Sequence, residues 1–111
     1  MKMDGHTHTQ LCAHGSGEKT EKMIEKAIRL GFTDYCITEH APLPAGFETS
    51  YEGPGEGYET ASLGFDQLEE YFEHAECLKE QFKGKINVHI GFETDYLPGF
   101  ESEIKKFLDE Y

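Results

Sequence analysis

Arginine is almost missing from this chain. Arg29 is the single example, and Lys plus Arg number 10 against 22 Asp plus Glu, a formal net charge of -12 over 111 residues. Binding to a polyanion needs clustered basic side chains, so the composition argues against a general nucleic-acid binder and is compatible with multivalent cations. The residue best suited to bidentate phosphate recognition is in equally short supply. There is no run of about 18 apolar residues, so no membrane-spanning helix is expected. No basic segment precedes a short apolar one, so no secretory leader is expected. Cys12, Cys36 and Cys77 are an odd number without CxxC spacing, which predicts reduced thiols and a cytoplasmic protein. Gly53, Gly55 and Gly57 lack the GxGxxG or Walker context of a nucleotide loop.

What is present is a repeating order. Residues 1–14 read as a strand running into a loop with His6, His8 and His14. Residues 15–31 read as a helix with an apolar stripe of Met23, Ile24, Ala27, Ile28 and Leu30, stopped by Gly31. Its Glu18 and Lys22 suit an i,i+4 pair. Residues 32–40 form a second strand ending at His40, and 41–64 a long connection of the kind that often serves as a lid. Residues 65–84 read as a helix with Leu68, Phe72, Ala75, Leu78 and Phe82 on one side. Residues 85–96 give a third strand, and 97–111 a third helix with Ile104, Phe107, Leu108 and Tyr111 in register. Three βα units predict one domain: an α/β fold of parallel strands with helices outside. A chain of this length buries roughly two-thirds of its unfolded surface, enough for a modest core.

In such folds the chemistry sits beyond the carboxyl ends of the strands. His6 and His8 are two apart, so an extended backbone turns both rings the same way. His40 ends the second strand and Glu93 the third. In the third strand Ile86, Val88, Ile90 and Phe92 share an apolar face, while Asn87, His89, Gly91 and Glu93 share a polar one. By the same parity Asp34, Cys36, Thr38 and His40 stand together, opposite Tyr35 and Ile37. A parallel strand is normally apolar on both sides. Histidines and a glutamate at adjacent strand ends make a metal-ligand set suited to zinc, iron or manganese. His14 is less constrained by geometry. His89 reads as a buried, hydrogen-bonded supporting residue and His74 as a surface one. Cys12 is close enough to act as a thiolate ligand and is also explained as a small buried hydrophobe. Cys36 and Cys77 read as structural.

These segments together resemble the polymerase-and-histidinol-phosphatase (PHP) family of metallo-phosphoesterases. DGHTHTQLCAHG resembles its first motif, TEHAPLP its second and GFETDY its third. Many members carry Ser-Asp-Gly where this chain has Cys12-Ala13-His14-Gly15. That histidine variant and the EHAPLP continuation are more similar to the histidinol-phosphatase branch. The resemblance implies about three βα units of a distorted (β/α)₇ barrel that holds up to three divalent metals in its complete form. It implies that His6 and His8 bind the first metal, that Glu93 bridges it to a second, and that His14 and His40 bind a third. It further implies hydrolysis of L-histidinol phosphate to L-histidinol and phosphate, with Glu93 and His40 catalytic. Further motifs of the family do not occur before Tyr111, and no basic residue is recognisable as a phosphate grip. The expectation is therefore an N-terminal portion of a longer phosphatase of histidine biosynthesis, its open sheet edge favouring a homo-oligomer. The alternatives are another phosphoesterase of this fold, such as a nuclease or proofreading domain, and a metal-binding module without turnover.

Overall fold

The computed structural model describes residues 1–12, 15–44 and 62–111. Its elements follow in the order β1 (Met3–Thr7), α1 (Thr20–Arg29), β2 (Asp34–His40), a 3₁₀ turn (Phe65–Gln67), α2 (Leu68–Gln81), β3 (Asn87–Glu93) and α3 (Glu101–Glu110). The strands form one parallel sheet in the order β1-β2-β3. The expected βα repeat is therefore present. Most of the connection expected over 41–64 falls at residues 45–61, which lie outside the described set, as does His14.

α1 starts at Thr20, later than the reading from residue 15, so Glu18 precedes it and does not form a helical pair with Lys22. Lys19 gives its N-terminus no side-chain cap. Gln10, from the loop after β1, accepts instead from the Thr20 amide at 3.0 Å. Gly31 ends the helix at φ +86°, a left-handed conformation that a side chain rarely adopts. With Gly31 in that conformation, the Phe32 amide reaches the Ala27 carbonyl at 3.0 Å.

The core gathers Ile24 and Ala27 of α1, Tyr35 and Ile37 of β2, Tyr71, Ala75 and Leu78 of α2, and Val88 of β3. Two expected stripes need correction. Met23 and Leu30 are exposed, and Thr20 takes the buried place at the head of α1. In α2 the fully buried aromatic is Tyr71, with Phe72 only partly buried against the core. The Tyr71 hydroxyl lies 2.6 Å from the Gly91 carbonyl and 3.2 Å from that of Ile37, so it spans β2 and β3. Burial pushes its pKa up to about 12. None of the expected stripe of α3 is buried, and Leu108 and Tyr111 are exposed. Phe107 contacts Phe92 of β3 edge-to-face at a centroid distance of 5.3 Å.

Candidate metal centre

β2 and β3 pair in unbroken register from Asp34 opposite Asn87 to His40 opposite Glu93. That register alone sets His40 and Glu93 side by side at the carboxyl end of the sheet. The Ala41 amide donates to the Glu93 carbonyl at 2.9 Å and extends the ladder one step past His40. β1 follows β2 less regularly, with a register shift between Asp4 and Thr7. His6 and His8 nonetheless reach the same rim.

Four of the five predicted metal residues meet there, and the fifth, His14, lies outside the described residues. Glu93 Oε2 lies 3.0 Å from His40 Nδ1, 3.3 Å from His8 Nε2 and 3.6 Å from His6 Nε2. The rings of His8 and His40 stack at 4.5 Å, and His6 stands edge-on to His8 at 4.9 Å. Glu93 Oε2 is buried, yet it accepts no hydrogen bond among the described residues. A buried carboxylate oxygen without a donor is costly on its own. Ringed by imidazole nitrogens, it has the surroundings of a metal-ligand atom. His6, His8 and Glu93 form one triad whose donor atoms lie within 4.8 Å of one another, and His8, Cys12 and His40 form another. Nitrogen and carboxylate donors suit zinc, iron and manganese, so the residues present fit a divalent ion.

Two residues to which the sequence gave no site role, Glu39 and Thr38, hold the ligands in place. Glu39 is only 1% exposed. Its Oε1 meets His8 Nδ1 at 2.6 Å, and its Oε2 accepts from the Thr9 amide at 3.0 Å and the Thr9 hydroxyl at 2.6 Å. Thr38 Oγ1 meets His6 Nδ1 at 2.8 Å. Carboxylate-to-histidine support of this kind orients metal-binding imidazoles. Glu39 shares its strand parity with Tyr35 and Ile37. The signal was there: an acid among apolar positions, directly before His40.

The remaining histidines and cysteines divide differently from expectation. His89 is hydrogen-bonded, to Asp34 Oδ1 at 2.9 Å, but its side chain is 53% exposed rather than buried. It sits near the start of β3, away from the rim. Hydrogen bonds from His89 and Thr33 hold the Asp34 carboxyl below its usual value. His74 is half-buried, with Nε2 at 3.4 Å from Thr20 Oγ1, and so links α2 to α1 rather than facing solvent alone. Cys77 is exposed, and Cys36 is half-buried rather than interior. Burial, then the charges of Asp34 and Asp4, push the Cys36 thiol up, which keeps it protonated.

With this geometry in hand, comparisons place the chain among known proteins. The PHP domain family matches residues 4–111. Histidinol-phosphatase of Bacillus subtilis is 38% identical over 111 residues, which is all of this chain and 40% of that protein. The probable histidinol-phosphatase of Schizosaccharomyces pombe is 34% identical over 98% of this chain and 35% of its own. A Listeria monocytogenes protein solved as a candidate histidinol phosphatase superposes with a TM-score of 0.94 at 44% identity, over 99% of this chain and 40% of that one. Histidinol phosphate phosphatase of Lactococcus lactis, solved with zinc, L-histidinol and phosphate, gives 0.74 at 33%, over 99% and 36%. The chain thus spans 35–40% of the length of these relatives.

Proposed function

This chain belongs to the PHP domain family, and from that premise we propose that it supplies part of a single phosphomonoesterase domain that hydrolyses L-histidinol phosphate to L-histidinol and phosphate. The observation that carries the reading is the buried, donorless Oε2 of Glu93 with three imidazole nitrogens within 3.6 Å. The names and the zinc of the relatives support it. In this reading His6, His8 and Glu93 would hold one divalent ion, Glu93 would also contribute to a second, and His14 and His40 would hold a third. Zinc, manganese or iron would supply Lewis acidity toward the phosphoryl oxygens and a lowered pKa for an attacking water. The chain's own residues fix the geometry. Glu39 turns His8 so that Nε2 faces the rim, and Thr38 does the same for His6. Glu93 and His40, side by side at the ends of β2 and β3, are the groups assigned to the reacting centre. The further ligands and the phosphate grip would come from strands that the longer relatives have in addition. We assign the activity to the cytoplasm and to a small phosphate ester rather than a nucleic acid. For residues 1–111 by themselves, without those strands, we also propose that the open strand edges are covered by a second copy.

The test is a chimera in which residues 1–111 replace the matching segment of the Bacillus subtilis relative. With zinc or manganese added, phosphate release from L-histidinol phosphate is expected, lost in E93Q. Release from a single-stranded oligonucleotide instead would favour a nuclease. Metal binding without release from either substrate would leave a binding module.

A further inference from the structure

We propose, resting on the metal reading above, that Tyr71 is a positioning residue for the centre: from the helix side of the sheet its hydroxyl pins the Thr38–Gly91 rung, and with it the alignment of Glu93 against His6 and His8. That rung is the weak point of the rim. Gly91 pairs with Thr38, two residues before Glu93 pairs with His40. A glycine inside a strand brings no side chain to pack and leaves the backbone more freedom. A methyl group at Gly91 would meet only the Thr38 methyl, at 3.9 Å, so among the described residues nothing packs closely on the backbone there from the rim face. β3 also has a strand neighbour on one side only. Yet Glu93, two residues on, keeps Oε2 within 3.6 Å of three imidazole nitrogens.

Tyr71 braces the rung from the opposite face. It is fully buried and sits in the core with Ile37 and Val88. Its hydroxyl donates to the Gly91 carbonyl at 2.6 Å, with the Ile37 carbonyl 3.2 Å away. Among the described residues no other side chain hydrogen-bonds the main chain of both β2 and β3. Its ring packs on Phe92, between Gly91 and Glu93, at a centroid distance of 5.3 Å. One side chain thus holds the two residues directly before the ligand. On β2 it holds the residue before Thr38, whose Oγ1 meets His6 Nδ1. Removing the hydroxyl keeps the ring packing but frees the rung, so the Glu93 carboxylate spreads over more positions and meets the ion less often in register with the imidazoles.

Zinc affinity, read by competition with a chromophoric chelator, tests this in the unaltered chain, Y71F, I24V and the double variant Y71F/G91A. I24V trims a fully buried core residue far from the rim and controls for lost stability as such. Y71F should weaken zinc about tenfold, the low end of what loss of a ligand-orienting partner costs, while I24V leaves affinity unchanged. Gly91 is not among the glycines with positive φ, so alanine fits there and stiffens the strand. G91A should therefore restore part of the affinity that Y71F loses. Should Y71F fail to fold, amide exchange of the unaltered chain decides: the amides of residues 91–93 should be as slow as those of α2 around Tyr71. Equal affinity in Y71F and the unaltered chain, an equal fall in I24V, no recovery with G91A, or fast exchange at 91–93 beside a protected α2 would overturn the role of Tyr71 and leave the metal centre standing. No zinc binding by the unaltered chain would overturn both.

Discussion

A neutral imidazole has one N–H and one lone pair, so engaging one nitrogen decides what the other offers. His8 Nδ1 faces the carboxylate of Glu39 at 2.6 Å, and a carboxylate accepts. His8 must donate there, which leaves the Nε2 lone pair aimed at Glu93 Oε2, 3.3 Å away. Two acceptors at that distance repel unless a cation stands with them. The residue-scale prediction follows. E39Q keeps the volume but loses the carboxylate that holds the His8 ring in place, so zinc affinity should drop by about 10–100-fold. Competition with a chromophoric chelator measures it, with far-ultraviolet circular dichroism as the check on folding. Unchanged affinity would contradict the assigned role. The ligands themselves were legible in the sequence because two-residue spacing and strand-end position are both visible there. Glu39 was visible there as an acid among apolar positions, but its role was not, because its partners His8 and Thr9 are about 30 residues away and meet it only through the β1–β2 pairing.

Among the elements, β2 does most to build the site. It pairs with both neighbours, and its unbroken register with β3 is what aligns His40 with Glu93. Tyr71 of α2 reinforces that pairing through the carbonyls of Ile37 and Gly91. Y71F should lower stability by about 0.5–1.5 kcal/mol, the usual worth of such a bond, in urea unfolding. Alternating polarity made β3 legible. The α2 stripe was misassigned by one residue because Tyr71 and Phe72 are both aromatic, and only the strand carbonyls distinguish which turns inward. At the other end of the sheet Asp34 is held in its charged form by His89 and Thr33. Its folded pKa is depressed below the ordinary 3.8, so its contribution is present above that value and lost as pH falls through the folded pKa. H89A should weaken the hold, raise the Asp34 pKa, and shift acid unfolding to higher pH. An identical acid midpoint in wild type and H89A would contradict this.

At the scale of the whole molecule, three parallel strands leave one side of β1 and one side of β3 without a strand partner among the described residues. Unpaired edges recruit other chains. We therefore expect this chain to elute as a dimer or larger species by size exclusion with light scattering; a sharp monomer peak with cooperative unfolding would count against it. The α/β order was readable because each βα unit carries its own periodicity. The exposure of α3 was not, since its apolar stripe at i, i+3, i+4 and i+7 predicts a buried face wherever the covering layer lies. The central claim is that this rim binds a divalent ion, and anomalous diffraction at the zinc edge from crystals soaked in zinc tests it most directly. A peak is expected among His6, His8 and Glu93, whose donor atoms lie within 4.8 Å of one another. A map with no peak at the rim, the Glu93 carboxylate still in direct contact with the imidazoles, would contradict it.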